Sequence, residues 1–468
     1  MLTIKSREQL LPQFILGGCV ALAALYGVVV ADHGTDALLL LAGGAAVLVI
    51  MIWPTIGLLL LAATIPLENL LMVGEGFTAT RLLGILVCGA WFVQKIVHRE
   101  SFASLLSSSY FVMGGLFVLL VVSSITWAHN PLIARSGAIS LVQAFALGMI
   151  IIDLAGSWRR MDSLIRVLIL SAGVASTMTL TQALIGGLRR GGDDIAGGVN
   201  GTAVVLLTLL PFCFYLLRSH TTSVWRVLGI AVAAASVVAI IVTYSRMNLM
   251  LLVPVLLAQY WFVFRGRQGR AWLGVLTVAG LVGTLLWVPW DRVAQRIQTI
   301  GPYMESTLSQ DGGTYSGRGY HMRVGLAIAR DHPLFGVGYN NYGELFLREY
   351  QYTVAGSDRI YTNRRSPHSS LIGILADLGA VGILTWVLLI GAAIRGVLRA
   401  WYSTQGATER DRHYLVQALT LALLLHAIPY GFYLPNQKEK IFWVLIAMST
   451  VVDRLARADR ATLAPSRS

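Results

Sequence analysis

Repeated apolar runs, each near the ~20 residues a helix needs to cross ~30 Å of hydrocarbon, constrain this chain more than any other feature. Their limits are Leu11 to Ala31, Ala37 to Trp53, Pro54 to Val73, Leu82 to Val97, Tyr110 to Trp127, Ser136 to Ala155 and Leu164 to Gly186. The series continues with Gly201 to Leu217, Val227 to Thr243, Asn248 to Phe264, Ala271 to Trp290, His368 to Ile394, Tyr414 to Leu434 and Ile441 to Val452. Backbone groups in lipid must be satisfied within the segment, so runs of this length read as helices. The expected fold is an all-α polytopic membrane protein with roughly 12–14 transmembrane helices and one large loop, outside the cytoplasm, containing short helices. Composition agrees: 56% of residues are hydrophobic and 13% charged, at a mean hydropathy of +0.68. A soluble domain could not cover such a core with polar surface.

A formal charge of +13 would suggest nucleic acid in a soluble protein. Here the basic residues must first be sorted by side of the membrane, and no nucleic-acid partner is expected. Alternation from a cytoplasmic N-terminus puts Lys95/Arg99, Arg159/Arg160, Arg265/Arg267/Arg270, Arg395/Arg399 and Arg454/Arg457/Arg460 inside, as the positive-inside rule requires. Lys5 and Arg7 precede an apolar run too long for a signal-peptide core, so it is read as the first span of a chain beginning at Met1. Cys19, Cys88 and Cys213 fall within apolar runs and read as buried small hydrophobes. Asp32 and Asp36 flank His33 in the first outer loop, too few oxygen ligands for a hard divalent cation, so neither metal nor cofactor is expected.

Three places depart from a plain bundle. The first is the stretch from Asp291 to Pro367, which lacks a spanning run and carries nine arginines: Arg292, Arg296, Arg318, Arg323, Arg330, Arg348, Arg359, Arg364 and Arg365. It reads either as a solvated basic loop or as an anion-binding surface. Within it, Gly319 to Arg330 has helical character, with Met322, Leu326 and Ala327 able to share a face, Ser316 as N-cap and His332-Pro333 as terminator. Arg318 would then sit in the first turn, where a cation opposes the helix dipole by ~0.3–1 kcal/mol unless an anion binds there. The second place is Arg246. A single helix from Val227 to Phe264 would be nearly twice the hydrocarbon thickness, so the chain must turn beside this residue, at the outer boundary. An arginine there either snorkels or faces a partner. The third is Arg364-Arg365-Ser366-Pro367-His368-Ser369, where a basic loop enters an apolar helix. Pro367 suits a first helical turn, which puts His368 at the mouth of a span, able to exchange protons near neutral pH.

At these places the chain resembles the O-antigen ligase and polymerase superfamily, bacterial membrane enzymes that join glycans carried on undecaprenyl diphosphate. The matching residues are Ser245-Arg246, Ser316-Gly317-Arg318, the run Asp331-His332-Pro333-Leu334-Phe335-Gly336-Val337-Gly338-Tyr339-Asn340-Asn341-Tyr342, and His368-Ser369 followed at fixed distance by Gly379. Met247 stands where many members have glycine and Ser369 where asparagine is common. The resemblance spans about the C-terminal half. It implies an inverting, metal-independent glycosyl transfer at the periplasmic face of the inner membrane, from an undecaprenyl diphosphate-linked glycan donor to a lipid A core or other glycan acceptor. On these positions Arg246 and Arg318 would hold the diphosphate and His368 would be the catalytic base, with Arg364 and Arg365 as accessory cations. Two alternatives stay open: a Wzy-type polysaccharide polymerase for O-antigen, capsule or exopolysaccharide, and a lipid-linked glycan flippase. A flippase should line a central cavity with charge from several spans, whereas here charge gathers in one loop and at span ends.

The expected organisation is N-terminal membrane helices over 1–200, helices of the ligase-like region over 201–290, the periplasmic loop over 291–367, C-terminal helices over 368–455 and a cytoplasmic tail over 456–468. Cysteines introduced near Gly312 and Gly356 should be labelled by an impermeant reagent from the periplasmic side, and one at Gly406 should not. The reverse pattern would contradict the topology.

Overall fold

The structure, a computed structural model, describes residues 43–74, 77–185, 192, 195, 198–219, 221–263, 317–354, 360–405, 410–433 and 439–463. The expected spans Leu11 to Ala31 and Ala271 to Trp290, with Cys19, Asp32, Asp36 and Ser316, lie outside these residues.

The fold is a polytopic all-α bundle. Its helices are α1 (Gly43–Ile52), α2 (Pro54–Thr64), α3 (Ala79–Val97), α4 (Ser109–Ser123), α5 (Pro131–Leu154), α6 (Trp158–Ile185) and α7 (Gly198–Arg218). They continue with α8 (Ser223–Val242), α9 (Arg246–Val263), α10 (Gly317–Asp331), α11 (Ser370–Thr404), α12 (Arg410–Leu425) and α13 (Lys440–Leu463). Among the described residues nine helical segments are long and apolar enough to cross a membrane. The expected span Pro54 to Val73 is shorter as α-helix: α2 passes into a 3-10 turn at Ile65–Leu71, and Met72–Gly74 pairs antiparallel with Phe77–Thr78 in a small hairpin.

Four helix starts share one device. Thr78, Ser108, Asn130 and Ser369 each precede a helix in extended backbone and accept a hydrogen bond from the amide three residues on, satisfying a donor the helix leaves open. In α7, 89% of the most apolar window is buried, against 28% for α3, so α7 is the central helix and α3 a lipid-facing one. α6, α8, α9 and α12 pack on α7, while α11 packs on α4 and α13.

Long-range polar contacts link loops that alternation assigns to the same membrane side. At one end Lys95 pairs with Asp153 (3.0 Å), and Trp158 and Arg412 both bond Asp459 (2.9 and 2.7 Å). At the other, Lys440 pairs with Glu68, Trp127 donates to the Phe335 carbonyl (3.2 Å) and the Asn130 amide to Asn341 Oδ1 (2.7 Å). This second end carries all three departures singled out above.

α11 is broken within its length. Gly379 has φ 64° and ψ −159°, a conformation essentially restricted to glycine, and it interrupts the helix expected to run unbroken from His368. The break releases Ala380 N to the Pro333 carbonyl (2.8 Å) and Val381 N to the Leu334 carbonyl (3.2 Å). In return the Ala376 and Asp377 carbonyls accept Val337 N (3.1 Å) and Gly338 N (2.8 Å). A Cβ at Gly379 would lie 2.3 Å from the Leu334 carbonyl carbon, and one at Gly336 2.3 Å from that of Asp377. The run 333–338 therefore lies in the gap, backbone against backbone. Gly379→Ala should lower stability by ~2 kcal/mol or more from backbone strain and clash together. Thermal unfolding in detergent should show a lowered midpoint; an unchanged one would mean that α11 closes its break at no cost.

Candidate active site

The loop motif is fixed on three sides. The Asp377 carboxylate, buried in the broken helix, accepts Asn340 N on one oxygen and Tyr342 N on the other, both at 2.7 Å. Tyr339 N donates to Ser124 Oγ (3.0 Å) and His129 N to the Val337 carbonyl (3.0 Å), joining the motif to the turn between α4 and α5. Buried Asn341 reaches Asn130 through both its side-chain oxygen and nitrogen. The motif thus joins elements far apart in sequence.

From this platform α10 rises over the mouth of α11. The helix extends over Gly317–Asp331 and stops before His332-Pro333, as expected. The expected face of Met322, Leu326 and Ala327 is corrected: Leu326 is 49% exposed, and the buried stripe is Tyr320, Val324 and Ile328. Those three, spaced four apart, pack with Tyr342, Leu345, Phe346 and Ala376 into a small core of their own. Arg318 is the second residue of α10, and so in its first turn.

Arg246 is the first residue of α9, where the chain turns as the length argument requires. Tyr244 makes the turn with φ 50°. Ser245 Oγ donates to Asn200 Oδ1 (2.8 Å) and accepts from Asn248 Nδ2 (2.9 Å), and Asn248 Oδ1 accepts from the buried Tyr430 hydroxyl (2.6 Å). Next along the chain from Tyr430, the Gly431 carbonyl accepts from Ser369 Oγ (3.3 Å). Hydrogen bonds, with one peptide link between Tyr430 and Gly431, therefore lead from the residue before Arg246 to the residue after His368.

Pro367 is not in a helical turn, a correction to the expected start. Ser369 is the N-cap and α11 begins at Ser370, because Ser369 takes extended backbone and its hydroxyl serves the Ile372 amide. His368 still lies at the mouth, half-buried, with φ 54°. Among the described non-glycine residues positive φ occurs at Arg99, Tyr244, Asn340 and His368, so three of the four strained positions fall in the segments read above. The His368 ring lies 5.6 Å, centroid to centroid, from that of His321, which is 4% exposed. His321 is one turn beyond Arg318, which sets the start of α10 beside His368.

The accessory arginines divide. Arg364 pairs through Nε with Glu344 Oε2 (2.7 Å), and Arg348 takes Oε1 (2.6 Å), so this buried carboxylate neutralises charge that the loop would otherwise present. Arg365 lies over the Tyr361 ring at 5.3 Å. Three participants went unread in the sequence: His321, Glu344 and Asp377. Asp377 left a usable signal, a lone acid in an apolar run, and such residues mark function or a fixed partner. An apolar recess of about 400 Å³ lies between α3 and α5, with Arg81 and Lys440 also lining it, but neither Arg246 nor His368 does.

The link through Asn248 and Tyr430 is open to measurement. A double-mutant cycle on Asn248→Ala and Tyr430→Phe should give a coupling of ~1–2 kcal/mol, because either change alone leaves a buried polar group without its partner. Additive effects would show that the link contributes nothing.

Residues 230–387, about a third of the chain, match the family model described as O-antigen ligase (Wzy_C). No curated protein matches the chain. The matched region holds Arg246, α10 with Arg318, the run 333–342, His368 and Gly379. Over these residues the chain is similar to the O-antigen ligase family of membrane proteins.

Proposed function

We propose that the protein is an O-antigen ligase-like glycosyltransferase of the inner membrane. It moves a glycan from undecaprenyl diphosphate to an acceptor hydroxyl, with inversion and without a metal, at the periplasmic end of the bundle. The observation that supports this most is the meeting of three features at one corner. These are the strained His368 at the mouth of α11, the start of α10 with Arg318, and the start of α9 with Arg246, joined through Ser369, Tyr430 and Asn248. The ligase match over the same residues agrees with it.

The chemistry asks for few parts. His368 takes the proton of the acceptor hydroxyl as that oxygen forms a bond to the anomeric carbon. The bond from the anomeric carbon to the diphosphate oxygen breaks on the opposite face, so the configuration inverts and the lipid diphosphate leaves with the electron pair. Arg246 and Arg318 meet the growing negative charge with permanently charged, two-pronged donors. Both stand in the first turn of a helix, where the dipole also favours an anion and a cation is otherwise disfavoured. Glu344 also ties Arg364 to the loop, and Arg364 and Arg365 are the accessory cations beside the site. The acceptor is lipid A core in the ligase reading and a second lipid-linked glycan in the polymerase reading.

In proteoliposomes supplied with lipid-linked donor and acceptor, Arg246→Ala and Arg318→Ala should each lower turnover by ~10²–10³-fold, and the lysine variants should recover little. His368→Ala should still bind donor and lose ~10²–10⁴-fold in rate. Product should form in EDTA. Wild-type turnover in the alanine variants would return the arginines to snorkelling cations and His368 to a structural role. Complete loss in EDTA, restored by magnesium, would overturn the metal-independent step.

A further inference from the structure

His321 has no place in the mechanism above, yet its surroundings are unusual. It stands on the buried side of α10, its ring 4.8 Å from Phe346, 5.3 Å from Tyr361, 5.6 Å from His368 and 5.9 Å from Tyr320, centroid to centroid. Tyr342 fixes the backbone beneath it by donating its hydroxyl to the His321 carbonyl (2.8 Å). The Tyr320 hydroxyl donates to the Gln351 carbonyl (2.9 Å), and Gln351 in turn accepts Tyr361 N (2.8 Å), so the walls of the cage are also held. Inside it the His321 Nδ1 is buried and has no hydrogen-bond partner among the described residues. A buried nitrogen left in that state costs ~1–3 kcal/mol and calls for a use.

A phenylalanine at this position would not carry that cost. An imidazole is held there instead, against the one ring that the proposed reaction protonates. Resting on the reading of His368 as the base, we propose that His321 is its positioning residue. Its buried ring nitrogen is held to accept a hydrogen bond from the His368 imidazolium that forms when the acceptor hydroxyl gives up its proton. No proton passes to His321: it moves from the hydroxyl to His368, and the new N–H is what His321 receives. An empty acceptor in the resting state suits a donor that exists only during the reaction.

The electrostatics agree. Burial, then the charge of His368, then Arg365, lower the His321 pKa to about 4, so His321 stays uncharged at neutral pH. Among the described residues the other ionisable groups around the pair include Tyr320 and Arg323 on α10, Tyr342 beneath His321, Tyr361, Arg364 and Arg365 on the approach to α11, Glu344 with Arg348, and Tyr430 beyond Ser369.

The test is an NMR titration of the His368 imidazole in purified wild type, His321→Phe and His321→Asn, each with its melting temperature and pH–rate profile. Phenylalanine keeps the ring but offers no acceptor; asparagine puts an amide near the Nδ1 position. His321→Phe should fold normally and shift the His368 midpoint to lower pH, since its imidazolium loses both an acceptor and polar surroundings. It should also lower kcat on the order of 10-fold with little change in donor KM, and move the acid limb of the profile in the same direction. His321→Asn should restore most of the midpoint and the rate. An unchanged midpoint in His321→Phe, or equal loss in both variants with only the melting temperature altered, would make His321 a packing residue and overturn the proposal. The titration does not depend on turnover. If the midpoint shifts while His368→Ala remains active, the pairing stands and the assignment of His368 as base fails.

Discussion

The architecture of the site depends on an exchange of backbone hydrogen bonds at the break in α11. A helix inside a bilayer has no water to satisfy an opened turn, so a break persists only where other protein groups take up the freed amides and carbonyls. Here the run 333–338 does so on both sides of Gly379, while Asp377 accepts two further amides from residues 340 and 342. The motif also grips the turn between α4 and α5, Tyr339 on Ser124, Val337 on His129 and Asn341 on Asn130. A loop that would otherwise move over the membrane surface is thereby seated in the bundle, and α10 with it. This docking, with the aromatic rings around α10, sets His321 against His368.

Rigidity so obtained explains where strain is tolerated. Tyr244, Asn340 and His368 hold left-handed backbone, each at a cost of ~1–3 kcal/mol, and each has neighbours that fix it: the Ser245–Asn248–Tyr430 set, the Asp377 carboxylate, and the cap at Ser369. Glu344 works in the same sense. Its carboxylate is 2% exposed between two arginines that are more than half exposed, and it ties the segment before α11 to the helix after the motif. The cations differ in their places: Arg348 and Arg364 brace the loop through Glu344, while Arg318 in the loop and Arg246 on α9 stand at helix starts.

Much of the bundle was legible in the sequence because the bilayer permits few alternatives. Runs such as Leu82 to Val97 and Val227 to Thr243 became helices with ends within a few residues of those read, and the turn beside Arg246 followed from length alone. The loop helix was legible in its terminator and not in its face. Periodicity offered Met322, Leu326 and Ala327, but the surface it packs on is aromatic and belongs to residues 342–361, so Tyr320, Val324 and Ile328 turned inward. Pro367 misled for a related reason: Ser369 two residues on is a better cap, and His368 takes backbone that no helix turn uses. The break at Gly379 was visible only as a spacing; its cause is a contact with a segment some forty residues earlier. His321 gave no local signal, since its significance lies in what burial places beside it.

The account rests on direct displacement at the anomeric carbon by an acceptor hydroxyl whose proton goes to His368. The stereochemistry of the product tests this most directly. With purified protein in proteoliposomes and a lipid diphosphate donor of known anomeric configuration, the glycosidic bond formed should have the opposite configuration, with one lipid diphosphate released per bond. Retention of configuration would contradict the account, because it requires a covalent glycosyl intermediate and a nucleophile that the corner around His368 has not been assigned.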